Sequence, residues 1–314
     1  MTGARCVACG AAGLRTVERV SAAQIADGFR REDLANGQPA VAERRRAALL
    51  RLLPESIRFD QCPSCGTEIS DPCRVWSAEE YPEDQSYPPR WEFVRCLEDL
   101  GPAPLDVLEI GCGPGQLLSR LAARGHRAIG IDFSKSAVAV ARAAGLPAFE
   151  GSLDTIGEHV PAATRFDAIV LFHVIEHVPD PDALFASIAP WARPGARLFI
   201  SCPGPRRYSR LIREQQVDRS DYWDHPPLHV FRWTLKGLEA VAARHGWAPI
   251  AAIEEPLDWT GAASHIGVAR AIHRGILGRP LRRRLAIAGA WASLAAAPAA
   301  FRAGTSIYFS ARRG

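Results

Sequence analysis

Apolar and polar positions alternate in blocks between residues 105 and 204 of the chain. Short apolar runs typical of buried strands are separated by stretches whose pattern indicates helices. Strand–helix alternation at this spacing predicts βαβ units and therefore a parallel sheet. The predicted strands are LDVLEI, AIGID, PAFEG, FDAIVLF and ARLFISC.

The regions on either side of this block have different patterns. Two CxxC pairs flank a helical region before the block, and a segment rich in Tyr, Pro and acidic residues follows them. After the block come a Pro- and aromatic-rich loop, a helix, a strand near 248–255 and a last strand, TSIYFSA. We predict an N-terminal module, a linker with a leading helix and an α/β domain with two insertions. Their bounds are 1–75, 76–104 and 105–314, with a lid insertion at 203–233 and a helical, basic–apolar insertion at 262–303.

Composition narrows the class of protein. A chain of 314 residues with 47% hydrophobic and 23% charged residues is typical of a soluble α/β domain plus a smaller module. The formal charge of +4 argues against a dedicated nucleic-acid binder. Eight cysteines without an N-terminal apolar signal segment indicate a reducing, cytoplasmic location.

One segment near the C-terminus raises the question of membrane contact. The apolar run at 285–301 follows three arginines at 282–284 and is too short and interrupted to span a bilayer. An ordinary packed helix is the favoured interpretation. The alternative is peripheral contact of 279–301 with the inner membrane face.

A glycine-rich loop follows the first predicted strand, in EIGCGPGQ. Gly111, Gly113 and Gly115 permit a sharp turn and close approach of a ligand to the backbone. The helix that begins near Gly115 directs its free N–H groups at the same place. Gln116 stands where a dinucleotide-binding loop has its third glycine, which disfavours NAD, and no Lys-Ser/Thr follows as in a phosphate-binding loop.

Two carboxylates flank this loop. Asp132 ends the second strand, where an acidic side chain can accept hydrogen bonds from ribose hydroxyls, and Glu109 closes the first strand on the same crevice. Either residue alone could be a helix cap or a solvated strand end. Both together around one glycine loop predict an adenosine-containing ligand.

Three motifs in order carry a family resemblance: VLEIGCGPG, GIDFS and FDAIVLFHVIEHVPDP. They resemble the class I S-adenosylmethionine-dependent methyltransferases, of the branch that includes the ubiquinone-type O-methyltransferases. The resemblance implies a Rossmann-like sheet of seven strands, six parallel and the last antiparallel. TSIYFSA would supply that last strand.

The resemblance also implies a set of S-adenosylmethionine contacts. Asp132 would bind both ribose hydroxyls, with Phe133 against the adenine and Ser152 and Leu153 at its edge. A carboxylate is commoner in the family at the position of Ser152. The full expected set is Glu109, Gly111, Cys112, Gly113, Gly115, Gln116, Asp132, Phe133, Ser152, Leu153, Phe172 and His173.

The stretch HVIEH lies beyond the carboxyl end of a predicted buried strand, at the edge where α/β proteins bind ligands. His177 is the candidate general base for an oxygen or nitrogen acceptor. His173 and Glu176 would position the cofactor or His177. Alternatively, His177 only caps the loop and the acceptor arrives already activated. The order H-V-I-E-H differs from the helical H-E-x-x-H of zinc proteases, so no catalytic metal is expected.

The paired CxxC motifs predict a metal site. Cys6, Cys9, Cys62 and Cys65 can present four thiolates to one structural Zn²⁺. No thioredoxin-like unit supports a redox role. The arrangement, followed by YPEDQSYPPRWEF, resembles a methyltransferase subgroup linked to modified sugars, glycans and secondary metabolites.

The segment after the fifth strand is expected to contact the acceptor. It carries Tyr208, Tyr222, Trp223, His225 and His229, side chains suited to a polar ring or a sugar. His229 is a second, weaker catalytic candidate, and each aromatic residue taken singly could simply pack the lid. The expected function is methyl transfer to a small-molecule or glycan acceptor. A lipid-linked acceptor and a non-catalytic cofactor-binding scaffold are the alternatives, and the acceptor's identity and the oligomeric state stay open.

Overall fold

A computed structural model describes residues 5–77, 90–102, 104–206, 222–260, 262–263, 267, 280–296 and 303–314. The N-terminal module contains three strands and two helices. They are β1 (Arg15–Ser21), α1 (Ala22–Ala35), α2 (Pro39–Leu52), β2 (Ser56–Gln61) and β3 (Glu68–Asp71). The predicted helical region is therefore a pair of helices that leaves one antiparallel strand and returns into the next.

The rest of the described chain alternates strands and helices. The elements are α3 (Trp91–Leu100), β4 (Asp106–Ile110), α4 (Gln116–Ala123), β5 (Arg127–Asp132), α5 (Lys135–Ala143), β6 (Ala148–Glu150), β7 (Phe166–Phe172), α6 (Pro181–Ile188), β8 (Ala192–Pro203), β9 (Phe231–Arg232), α7 (Leu235–Arg244), β10 (Trp247–Pro256), α8 (Pro280–Ala296) and β11 (Ala303–Arg313).

The large sheet has seven strands in the order β10-β11-β8-β7-β4-β5-β6. β4 to β8 run parallel where they pair, whereas β11 is antiparallel to both β8 and β10. Six strands thus share one direction and the last strand in the chain opposes them. This confirms the predicted α/β, Rossmann-like fold, with TSIYFSA inside β11.

The sequence accounts for these elements locally. β7 and the second half of β8 are almost entirely apolar and buried, as expected for central strands covered on both faces. The helices that follow the strands begin at polar caps. Ser134, Asp180 and Thr234 each accept a hydrogen bond from a backbone N–H in the first turn of α5, α6 and α7 respectively.

The N-terminal module packs directly against the large domain. Cys6, Cys62 and Cys65 belong to the same hydrophobic cluster as Trp233 and Leu238. Thr234, at the start of α7, donates to the Cys65 carbonyl at 2.6 Å. A fourth strand, β9, joins the module's sheet by pairing with β3, although it lies in the predicted lid. The module and the lid therefore share one sheet.

Several predicted segments lie partly outside the described residues. These are 78–89 of the linker, 207–221 of the lid with Tyr208, and most of the 262–303 insertion. Among the residues that are described, no helix has the length and apolarity needed to cross a membrane.

Candidate active site

The glycine loop connects β4 to α4 at the carboxyl edge of the sheet. Gly111, Gly113 and Gly115 have φ values of +75°, +51° and +83°, a region that side chains disfavour. A Cβ atom at Gly111 would lie 2.4 Å from Val174 Cγ2, and one at Gly115 would lie 2.5 Å from Leu146 Cδ1. The loop therefore needs glycine, and a side chain at Gly111 would clash with the HVIEH stretch.

The Asp132 carboxylate fastens this loop to the end of β5. Its two oxygens accept hydrogen bonds from the backbone N–H groups of Gly113 and Ser134, both at 2.8 Å. Burial raises the pKa of Asp132, and these two amides oppose the rise. The side chain is half-buried at the crevice, where further donors can reach its remaining lone pairs.

Glu109 lies beneath the same loop and is 4% exposed. Its Oε2 atom is buried without a hydrogen-bond partner among the described residues. Burial raises the pKa of Glu109 well above its usual range, and the neighbouring Asp132 adds to the effect. A buried, unsatisfied carboxylate is costly, which fits a site that receives a donor or a cationic group from a ligand.

The other expected cofactor contacts line the same edge. Phe133 is 42% exposed and comes directly after Asp132. Ser152 is exposed and Leu153 is half-buried after β6, where Thr155 Oγ1 accepts from the Ser152 N–H. Three further positions complete the set: Cys112, buried against Gly130; Gln116, the first residue of α4; and Phe172, which ends β7.

His173 is held between two buried carboxylates. Its Nε2 atom is 2.7 Å from Glu92 Oε1, and its Nδ1 atom is 3.3 Å from Glu176 Oε1. Burial alone would lower the pKa of His173, but contacts with these carboxylates outweigh it and raise the pKa. Its backbone has a positive φ of 55°, which is unusual for a non-glycine residue. His173 is thus built to carry a charge at a fixed position.

Sequence reasoning assigned no role to Glu92. It lies in the first turn of α3 and is 1% exposed, in the motif RWEF. A charged residue on the buried face of an amphipathic helix is itself a signal, because such a group needs a partner. That partner, His173, is distant in sequence.

His177 lies in a short 3₁₀ turn after β7. Its Nδ1 atom is 2.7 Å from the Leu228 carbonyl oxygen, so Nδ1–H donates and the lone pair of the neutral ring resides on Nε2. Burial lowers the pKa of His177 to about 4; Glu176 opposes this effect and His229 adds to it. The ring is therefore neutral near pH 7.

His229 approaches His177 from the lid. The two ring centroids are 5.0 Å apart, and His229 Nδ1 is 3.2 Å from Asp224 Oδ1. The backbone N–H of Val230 donates to the Glu176 carbonyl at 3.0 Å, which ties the lid to the HVIEH turn. The structure thus brings all three predicted histidines to one side of the crevice.

Comparison with known proteins places this chain in a family. A family model described as a methyltransferase domain matches residues 81–252, more than half of the chain. The chain belongs to this methyltransferase family.

The curated relatives support the same family over a shorter range. The ubiquinone biosynthesis O-methyltransferase of Hahella chejuensis is 37% identical over 134 residues, which are 41% of this chain and 56% of the relative. The protein of the same name from Aeromonas salmonicida is 36% identical over 115 residues, covering 34% and 47%. The chain therefore spans about half the length of the curated relatives it matches.

Solved structures add little to the family assignment. A crystal structure of an S-adenosylmethionine-dependent methyltransferase from Mesorhizobium loti is 20% identical, with a TM-score of 0.44 over 71% of this chain and 96% of that one. The fold assignment of this methyltransferase-family chain rests on its own strand order.

A buried charge network joins the lid to the N-terminal module of this methyltransferase-family protein. Arg232 is 2% exposed and lies 2.8 Å from Asp224 Oδ2 and 2.9 Å from Glu68 Oε2. Its NH1 also contacts Glu18 at 2.6 Å, and its guanidinium stacks 3.6 Å from the Phe59 ring centroid. Through Asp224, strands β1 and β3 of the module help to hold His229. Sequence reasoning did not find this network.

The other lid residues are also engaged with the module. Tyr222 and Trp223 both donate to Glu32 of α1 and contact the ring of Phe29. His225 is buried, with Nε2 3.0 Å from Glu18. Trp223 is the most exposed of the three, at 37%.

The four cysteines of the CxxC motifs form one cluster. Their sulfur atoms all lie within 4.8 Å of one another, with Cys6–Cys65 at 3.6 Å and Cys9–Cys62 at 3.5 Å. A disulfide needs about 2.05 Å, whereas sulfurs around a tetrahedral Zn²⁺ with bonds of about 2.3 Å lie roughly 3.8 Å apart. The hydrogen bond from Cys6 lowers the pKa of the Cys65 thiol. The donor set and spacing fit a four-thiolate zinc site.

Proposed function

We propose that this protein transfers the methyl group of S-adenosylmethionine to an oxygen of a small-molecule acceptor. The observation that carries the proposal is the pair of carboxylates, Asp132 and Glu109, around a loop whose conformation only glycine suits. The similarity to relatives named as O-methyltransferases supports oxygen as the acceptor atom. The CxxC subgroup resemblance supports a glycan or secondary-metabolite intermediate.

In this proposal the crevice binds the cofactor through both backbone and side chains. Asp132 holds the ribose hydroxyls, Phe133 covers the adenine, and Ser152 and Leu153 meet its edge. Glu109 Oε2 receives a donor from the methionine end, where Gly111 and the Phe172–His173 backbone also lie. When bound, the cofactor supplies an electrophilic methyl group on sulfur. Because transfer is an in-line displacement, the protein's main tasks are alignment and exclusion of water.

The acceptor side holds and deprotonates the hydroxyl. His177 Nε2 carries the lone pair that receives the proton, and the Leu228 carbonyl fixes the ring's orientation. His173 carries its charge between Glu92 and Glu176 and thereby positions Glu176 beside His177. If His177 only caps the loop, His177→Ala leaves turnover near the wild-type rate. If it deprotonates the acceptor, the typical contribution of a general base is about 10²–10⁴-fold.

Calorimetric titration of S-adenosylhomocysteine tests the cofactor assignment. We expect micromolar binding by the wild type, about 8 kcal/mol, and a loss of about 1.5–3 kcal/mol in Asp132→Ala because hydrogen bonds to a charged group disappear. Asp27→Ala, at a half-buried aspartate of α1, is the matched control and should bind normally. A folded wild type that does not bind would contradict the proposal and favour a scaffold role.

We also infer that Cys6, Cys9, Cys62 and Cys65 bind one structural Zn²⁺. The site is closed by four protein ligands, as expected for a structural ion, and packs on α7. Metal analysis should give about one zinc per chain, lost in Cys62→Ser/Cys65→Ser and retained in Cys73→Ser, whose cysteine is exposed outside the cluster. Zinc-free wild type would refute the inference.

A further inference from the structure

A cavity lies at the amino ends of the sheet strands, on the edge opposite the glycine loop. Asp106, Arg127 and Phe166, the first residues of β4, β5 and β7, line this amino-edge cavity, together with parts of α4 and of the loop before β7. Its volume is about 800 Å³, and small-molecule sites usually occupy about 300–1,000 Å³. Because a strand rises about 3.3 Å per residue, Arg127 lies roughly 16 Å from Asp132 at the other end of β5. The cavity is therefore separate from the cofactor crevice.

The walls of the amino-edge cavity are mostly apolar. Phe166 is buried, and Ile129 and Val160 pack half-buried against the same hydrophobic cluster. Leu118 of α4 adds a buried aliphatic side chain. A ligand that covers such surface removes it from water. These walls therefore favour a ligand with an aliphatic or aromatic body over a fully polar one.

Charged side chains line the same cavity, and positive charge is in excess. Asp106 Oδ1 is 2.6 Å from Arg127 Nε, and Asp106 Oδ2 is 2.8 Å from Arg193 NH2. Arg193 NH1 also pairs with Asp167 at 2.5 Å. Arg165 is the third arginine of the lining. Three guanidinium groups thus meet two carboxylates, which leaves one net positive charge.

Arg165 carries the charge that no carboxylate balances. Its NH1 group donates to the carbonyl oxygens of Ala162 and Thr164, both at 2.8 Å. Among the residues that the structure describes, no carboxylate pairs with Arg165, and its Nε and NH2 groups have no acceptor. Burial lowers the pKa of His126, which also lines the cavity, so its imidazole is neutral near pH 7.

We propose that the amino-edge cavity binds an amphipathic carboxylate, a compound with one carboxylate group on an aliphatic or aromatic body. A guanidinium group presents parallel N–H donors that match the two oxygens of a carboxylate. Arg165 pairs with the carboxylate, and the apolar body lies against Phe166, Ile129 and Val160. The single negative charge of the ligand balances the excess charge of the lining.

This inference goes beyond the proposed function, because the site needs neither S-adenosylmethionine nor a methyl acceptor. The cofactor crevice lies at the carboxyl ends of the same strands, so the two ligands should bind simultaneously. A ligand that binds only the folded state stabilises it. Occupancy of the amino-edge cavity should therefore also raise the midpoint of thermal unfolding.

Calorimetric titration of decanoate into the full chain tests the proposal. We expect one saturable site per chain. Acetate lacks the apolar body and decanol lacks the charge, so each should bind at least about tenfold more weakly than decanoate. Shortening decanoate to octanoate should weaken binding by up to about fourfold for each methylene group removed.

Variants of Arg165 test the ion pair. Arg165→Gln should weaken decanoate binding at least about tenfold, because a charge and its hydrogen bonds are lost. Arg165→Lys keeps the charge and should recover part of the affinity. The matched control, Arg44→Gln, removes an equal charge at an exposed position of α2 and should bind decanoate normally. Because Arg165 is itself exposed, thermal unfolding without decanoate should be nearly the same for all these variants.

The outcomes separate this inference from the proposed function. Absence of saturable decanoate binding overturns the site, as does equal binding by Arg165→Gln and the wild type. Equal affinity for decanoate and decanol would overturn the assignment of a carboxylate. Competition between decanoate and S-adenosylhomocysteine would place decanoate in the cofactor crevice and also overturn the inference. Binding of S-adenosylhomocysteine without binding of decanoate refutes only the amino-edge site, and the reverse result refutes only the cofactor assignment.

Discussion

The proposed cofactor side and the proposed acceptor side of the crevice are built in different ways. Most of the proposed cofactor side comes from one continuous stretch, from Glu109 at the end of β4 to Phe133 after β5. The acceptor side combines α3, the turn after β7, the lid and two strands of the N-terminal module. The first depends on backbone conformation, and the second depends on buried charges brought together from distant segments.

This difference explains which substitutions each side can tolerate. On the proposed cofactor side, a Cβ atom at Gly111 or Gly115 would clash with a neighbouring side chain, so side-chain size is restricted at these two positions. On the acceptor side, each buried charge has partners of opposite charge, so removal of one partner leaves the others uncompensated. Stability and function should therefore be coupled more tightly on the acceptor side.

Substitution of Arg232 is expected to have the largest effect. In Arg232→Ala, Glu68 and Asp224 lose their buried cationic partner, and the free energy of unfolding should fall by about 3–5 kcal/mol. The matched variant Arg58→Ala breaks ion pairs of a partly exposed arginine on β2 with Asp60 and Asp71 and should cost about 0–1 kcal/mol. Denaturant unfolding monitored by fluorescence gives both values. Equal losses of unfolding free energy in the two variants would show that Glu68 and Asp224 do not need Arg232 as a buried cationic partner.

The sequence could predict the features that depend on one local stretch, but not those that depend on contacts between distant segments. The strands, their parallel arrangement and the antiparallel last strand follow from local apolar patterns and the family motifs, and the structure confirms them. The glycine positions could be predicted because a single loop contains them. Glu92 and Arg232 could not be assigned, because their partners lie far away in sequence and no local pattern links them.

The N-terminal sheet was missed for a related reason. β9 has only two residues, Phe231 and Arg232, which is too short for a period-two pattern. β1 carries mostly exposed or half-buried side chains, so its apolar alternation is weak. Its pairing with β2 depends on the helices between them folding back.

An intermediate loss of stability is expected where the glycine loop meets Val174 of the HVIEH turn. Gly111→Ala places a methyl group 2.4 Å from Val174 Cγ2 at a φ of +75°, so it combines a clash with backbone strain. Gly125 has a φ of +83° with nothing within 4 Å, so Gly125→Ala should show strain alone, about 1–2 kcal/mol. Thermal unfolding compares the two variants.

A double variant separates clash from strain at this contact. We expect Gly111→Ala to be the less stable of the two alanine variants and to weaken S-adenosylhomocysteine binding, which Gly125→Ala should not affect. Adding Val174→Ala should remove the clash and bring the loss close to that of Gly125→Ala, apart from the cost of the truncated valine. If Gly111→Ala and Gly125→Ala are indistinguishable, the HVIEH turn does not press on the glycine loop.

The smallest effect is expected for substitutions in α8. They test whether the acceptor side extends to a membrane surface. Ala286 and Ala290 are buried, whereas Leu281 and Leu285 are 71% and 65% exposed. If the acceptor is lipid-linked, the protein should co-sediment weakly with vesicles that contain anionic lipid, and Leu281→Ser/Leu285→Ser should reduce this a few-fold. The exposed Leu50→Ser on α2 is the control. No sedimentation of the wild type would remove the lipid-linked alternative, and the acceptor would then reach the three histidines from solution.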